Sequence, residues 1–215
     1  MTEEQKGRRH IWFRVAVALA LSGACVAGLV KFVRVWEGEP YPVADPAATA
    51  ARLDDETQTV YDALALTGAE LEAERSGGLV AYNDSCQYRG LSHWADQLND
   101  TPPLVPDVVN VSAEWRLKGV SDEEAAAALR RARAELVRRG WEVTRYENAA
   151  PRRTLRVTPD GSDGVPVSLR VDALPGDRLL VGAYADCARY PDGTPLDAQD
   201  RPRLPDQAAP AQLRK

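Results

Sequence analysis

VVNVSAEWRLKGVSDEEAAAALRRARAELVRRG, residues 108–140, changes its hydrophobic period midway, and that change decides the fold. In its first part Val109, Val111, Ala113, Trp115 and Leu117 alternate with Asn110, Ser112, Glu114 and Arg116. A period of two puts one set of side chains on each face of a strand, one buried and one polar. After Gly119 the period becomes helical. Ser121 and Glu124 form a capping box that satisfies free amides at a helix start. Ala125, Leu129, Ala132, Leu136 and Val137 then make a buried stripe. Arg138 and Arg139 stand at the negative end of the helix dipole, and Gly140 is free to turn left-handed.

Downstream, four more strands are expected: Trp141 to Glu147, Arg153 to Thr158, Val165 to Ala173 and Arg178 to Cys187. The third alternates most cleanly, with Val165, Val167, Leu169, Val171 and Ala173 inward. Turn residues such as Pro159-Asp160-Gly161 and Pro175-Gly176-Asp177 leave connections so short that neighbouring strands must be antiparallel. The reading is an α+β domain with a β-α-β-β-β-β core, an antiparallel sheet with the long helix packed on one face. Upstream, Asp45 can cap and Pro46 can open a helix in which Leu53, Thr57, Val60, Tyr61 and Leu64 recur until Gly68. Gly77-Gly78 introduce a short strand, LVAY, and Asn83-Asp84-Ser85 form a turn before Cys86. A short helix is expected within YRGLSHWADQL, which carries His93.

At the N-terminus the run VAVALALSGACVAGLV, residues 15–30, has no polar face. With its aromatic and cationic flanks it reads as a transmembrane helix over residues 11–36, the lipid bilayer being its partner. Lys6, Arg8, Arg9 and Arg14 precede or open the run, so the positive-inside bias keeps residues 1–10 in the cytoplasm and sends the remainder outside. The expected localisation is therefore the cell membrane, single-pass, with an extracytoplasmic C-terminal domain. Cleavage near Ala18 to Ala20 as a signal peptide and lipidation at Cys25 are the competing readings of this stretch. Ala16, Ala20, Ala24 and Gly28 recur every four residues, a small-residue seam through which two such helices could pair as a homodimer.

Residues 37–46, EGEPYPVADP, read as a stiff proline-rich spacer, 47–190 as the extracytoplasmic domain, and 191–215 as a disordered tail poor in large apolar side chains. Of the 215 residues, 44% are apolar, enough for one modest core. Beyond residue 36 there are 21 cations and 30 anions, a net charge of -9. A domain this acidic binds DNA or anionic lipid poorly by bulk charge, so no nucleic-acid partner is expected.

VSAEWRLKGV (111–120), LRRARAELVRRGWEVTRYEN (129–148) and LLVGAYADCARYP (179–191) together resemble a layout found in uncharacterised single-pass membrane proteins and lipoproteins of actinobacteria. The resemblance implies an envelope location and an α+β domain, and it carries over no functional residues.

The chemistry-bearing residues are few. Cys86 and Cys187 are the two cysteines placed outside the membrane, and an oxidising compartment would pair them; two buried free thiols or a two-thiolate metal site are the alternatives. Arg145, Arg153, Arg156 and Arg170 lie on expected strands and could gather on one face as an anion site for an anionic envelope polymer or lipid phosphate. The opposing reading is an ordinary solvated surface paired with residues such as Glu142 and Asp172. His93 has no second histidine in the domain, and no phosphate loop, nucleophile elbow or metal spacing occurs. No catalytic residue, metal ligand or cofactor is therefore assigned. The expected function is a non-catalytic envelope module for binding, sensing or assembly, with a carboxylate-dependent hydrolase or partnership with another envelope protein left open.

Overall fold

The structure, a computed structural model, describes residues 28–72, 76–160 and 164–213. These fall into two compact units: one holds the described residues up to Pro40 together with Gln87–Pro103, the other Tyr41–Cys86 and the chain from Leu104 onward.

In the first unit a helical segment, α1, covers residues 28–37. It includes the charged residues Lys31, Arg34 and Glu37. No helix among the described residues is long and apolar enough to cross a membrane. This corrects the expected transmembrane helix over 11–36, whose residues 11–27 lie outside the described chain. The small-residue seam lies outside it too, except for Gly28, which has nothing within 4 Å of the position a Cβ would take. The expected helix near His93 is two short 3-10 turns, Leu91–His93 and Asp96–Leu98. His93 stacks on Tyr88 and contacts Asp96 through Nδ1 at 2.9 Å.

The second unit is built on a seven-stranded antiparallel sheet: β1 (Glu70–Leu71), β2 (Gly78–Tyr82), β3 (Val108–Lys118), β4 (Glu142–Ala149), β5 (Arg152–Thr158), β6 (Val167–Leu174) and β7 (Arg178–Arg189). The order is β1-β3-β7-β6-β5-β4, with β2 also pairing β3. Two helices belong to this unit, α2 (Pro46–Leu64) and α3 (Asp122–Arg138). The expected fold is corrected in extent as well: the protein is mainly an antiparallel sheet of seven strands, with three α-helices among the described residues, and the expected β-α-β-β-β-β run is β3-α3-β4-β5-β6-β7 within it, to which β1, β2 and α2 add. The four-strand meander forms as its short turns require, but it returns its last strand to β3, because α3 carries the chain over to the far edge before the meander begins. β1 escapes sequence reading because two residues carry no periodicity; only pairing with Leu117 and Lys118 defines it.

One face of the sheet is closed. Val111, Trp115, Leu155, Leu169 and Val181 share a single core with Leu53, Val60 and Leu64 of α2 and Leu129 and Leu136 of α3. Ser121 caps α3 through its Oγ, which accepts from the Glu124 amide at 3.2 Å, and Asp45 caps α2 in the same way at the Ala47 amide. Arg131 of α3 donates to the carbonyls of Leu64 and Ala65, satisfying the exposed end of α2. The end of the expected spacer is also fixed, since Val43 bridges Arg189 in parallel. Of residues 191–213, read from sequence as a disordered tail, 201–207 share a depression with β2 residues Gly78 to Ala81 and 208–213 lie along α2. The Ala208 amide donates to Asp54, the Ala211 amide donates to Gln58, and Leu204, Ala209 and Leu213 pack on the core. Three small apolar contacts spaced along a polar segment are too sparse for composition to reveal.

Candidate functional site

Two features of the second unit carry chemistry, the disulfide and the uncovered face of the sheet. Cys86 and Cys187 are bonded, with Cα atoms 5.7 Å apart and a sequence separation of 101. Cys86 is fully buried in the turn after β2, where its amide donates to Asn83 and its carbonyl accepts from Val105. Beside the bond, Asn110 is buried on β3 and donates to the Ser85 hydroxyl at 2.6 Å, and Ser85 lies 3.5 Å from the Tyr184 hydroxyl. The crosslink thus fixes the loop that supports Tyr184, on the sheet's open face.

That face displays a row of side chains running across the strands. Arg145 on β4 pairs in register with Arg156 on β5, Arg156 with Arg170 on β6, Arg170 with Gly182 on β7, and Gly182 with Glu114 on β3. Residues in register share a face, so three arginines stand side by side at about 4.8 Å strand spacing. Arg145 reaches this face because a bulge between Val143 and Arg145 shifts the parity of β4; strict alternation would have turned it inward with Val143. The fourth arginine expected at the site, Arg153 on β5, faces the other way. Its Nε and Nη2 donate to the two carboxylate oxygens of Asp122, at the start of α3, at 2.6 and 2.7 Å. Those hydrogen bonds hold the Asp122 carboxyl below its usual range. Arg153 is thus a clasp between sheet and helix, not part of the row.

The three arginines of the row differ in what neutralises them. Arg145 donates twice to Glu147, at 3.0 and 2.6 Å. Among the described residues Arg170 has only distant carboxylate partners, Glu114 and Asp172, each at 3.8 Å. Both are better engaged elsewhere: Glu114 accepts from Arg116 at 3.0 Å, and Asp172 accepts from the Thr154 hydroxyl. Arg156 is exposed and, among the described residues, has no carboxylate partner within ion-pair distance. Like charges placed directly opposite each other on a sheet are destabilising, so Arg156 between two arginines is held against a local cost.

Gly182 shapes the site. A Cβ there would sit 3.2 Å from Nε of Arg170, so the missing side chain lets Arg170 lie flat across β7. The result is a depression of about 350 Å3 lined by Ser112, Glu114, Arg156, Ser168, Arg170 and Tyr184. A second, of about 260 Å3, is lined by Arg145, Arg152, Thr154 and Arg156 together with the carboxylates of Glu147 and Asp172. Sequence reading singled out the arginines but missed Gly182, Glu114 and Tyr184. The available signal was a lone glycine inside the apolar strand LLVGAYADC, at the parity of the polar face.

Arginine guanidiniums in this setting offer planar, forked donors suited to phosphate, sulfate or carboxylate oxygens. Three hydroxyls, from Ser112, Ser168 and Tyr184, add neutral donors. Among the described residues no group of three or more His, Cys, Asp or Glu side chains converges to hold a metal ion. Compared with models of known families, with curated proteins and with solved structures, the chain matches none.

Proposed function

We propose that the protein is a non-catalytic extracytoplasmic module that binds an anionic ligand on the open face of its sheet. The observation that carries this reading is Arg156, exposed and without a carboxylate partner among the described residues, in register between Arg145 and Arg170. Like charges in register destabilise a sheet, and a bound anion would offset that cost. The extracytoplasmic part of the proposal draws support from the Cys86–Cys187 bond, since such crosslinks persist in oxidising compartments. A carboxylate-dependent hydrolase draws less support. The two carboxylates beside Arg170 are already occupied as acceptors, by Arg116 and Thr154.

The test is calorimetric titration of the full chain with inorganic phosphate at low and moderate ionic strength. The wild type should bind, more weakly as salt rises. Arg156→Gln should lose about tenfold or more, the scale of one charged hydrogen bond. Gly182→Val should bind more weakly too, because its side chain displaces Arg170. Equal titrations for wild type and Arg156→Gln would sink the reading.

A further inference from the structure

Resting on the anion-binding reading, we infer that the ligand is a linear chain carrying phosphoryl groups at close intervals, laid across the strands from Gly182 to the edge of β4. Four observations lead there. The arginines form a line, not a ring: Arg170, Arg156 and Arg145 occupy one register row on three adjacent strands. Two strand steps make that row about 10 Å long, more than a single small anion can bridge. Arg156 lines both depressions, so the two are joined at a guanidinium that has no carboxylate partner among the described residues. The row also has unlike ends. At β3 it stops at Glu114, which repels an anion, while β4 is an edge strand, beyond which a chain can leave the protein without meeting another strand.

The spacing selects the chemistry. Guanidiniums one strand apart match a ligand whose charges recur along its backbone at every unit, as in polyphosphates and poly(phosphodiesters). Phosphoryl oxygens also accept from the Ser168 and Tyr184 hydroxyls at the closed end. The terminal group of the chain sits in the Gly182 depression against Arg170 and Arg156, and the following groups pass Arg156 and Arg145. Arg145 must then turn from Glu147 toward the chain, which makes its contribution specific to ligands long enough to reach it.

The experiment compares orthophosphate, tripolyphosphate, long-chain inorganic polyphosphate and polyglutamate on the full chain, for wild type, Arg156→Gln and Arg145→Gln. Affinity per molecule should rise by tenfold or more from orthophosphate to polyphosphate. Arg145→Gln should weaken polyphosphate severalfold and orthophosphate by much less, while Arg156→Gln weakens both to a similar degree. If orthophosphate binds through Arg156 but the longer chains bind no better, or Arg145→Gln has no effect on them, the chain assignment falls and the anion site stands. Polyglutamate binding as tightly as polyphosphate, with the same loss in Arg145→Gln, overturns the phosphoryl assignment. If no anion binds, both readings fall together.

Discussion

Arg153 and Arg156 stand three residues apart on the same strand and meet opposite fates. On the helix-covered side Arg153 is clasped by Asp122 with two short hydrogen bonds and by the Asn148 carbonyl. On the open side Arg156 has like charges on either hand and no carboxylate partner among the described residues. The contrast extends to the two faces as wholes. Leu155, Val157, Leu169, Val171 and Val181 close one face against α2 and α3 with almost no exposure, so its residues are fixed by packing. The other keeps arginines, hydroxyls and a glycine where apolar or paired side chains would be more stable. Residues that a fold does not require for its stability are those free to serve binding.

The faces can be told apart by how much each loses on truncation, and the largest effect is expected on the covered one. Leu169, 1% exposed and next in sequence to Arg170, should cost about 2–5 kcal/mol when changed to Ala. Urea denaturation measures this, and the matched change Arg170→Ala should stay within about 0.5 kcal/mol. Reducing the Cys86–Cys187 bond comes next. Releasing a crosslink that closes 101 residues should lower stability by about 2–4 kcal/mol. It should also weaken phosphate binding, since Ser85 and Tyr184 lose their support, whereas Leu169→Ala should weaken binding only where the protein unfolds.

A smaller effect separates the two arginines by pH. The Asp122 carboxyl is held below its usual value by Arg153, so in the folded state it gives up its proton more readily than in the unfolded chain. The stability this pair contributes is fully present above the unfolded value, about 3.9, and is lost as pH falls through the lowered folded value. Asp122→Asn should therefore flatten the acid limb of stability against pH, measured by urea midpoints from neutral pH downward. Arg156→Gln should leave that limb unchanged. The smallest effect is that of Arg156→Gln on stability at neutral pH: no loss, or a gain of about 0.2–1 kcal/mol as a like-charge contact disappears.

Much of this contrast was legible in the residues. The alternation in β3, β6 and β7 marks which side chains share a face, and the Ser121 box and the Arg139-Gly140 end bracket α3 to within a residue. The sequence reading groups Arg153 with Arg156 in one site, although alternation on β5, with Arg153 in step with Leu155 and Val157, separates them. What stayed hidden depends on contacts between segments far apart in sequence. The bulge that turns Arg145 outward arises from pairing with β5, and the place of β7 beside β3 arises from the path of α3. Residues 208–213 are held along α2 by the Ala208 and Ala211 amides, which donate to Asp54 and Gln58, and no composition signals this. Glu114 and Gly182 needed the strand order before either could be placed beside Arg170.

The most direct measurement of the central claim is the urea stability of wild type and Arg156→Gln as a function of inorganic phosphate at constant ionic strength. If the open face is held ready for an anion, phosphate bound only by the folded state must raise wild-type stability, by about 2.7 kcal/mol when phosphate reaches a hundred times its Kd. Arg156→Gln should start at the same stability or higher and rise much less. Parallel rises in the two proteins, or none in either, would contradict the account.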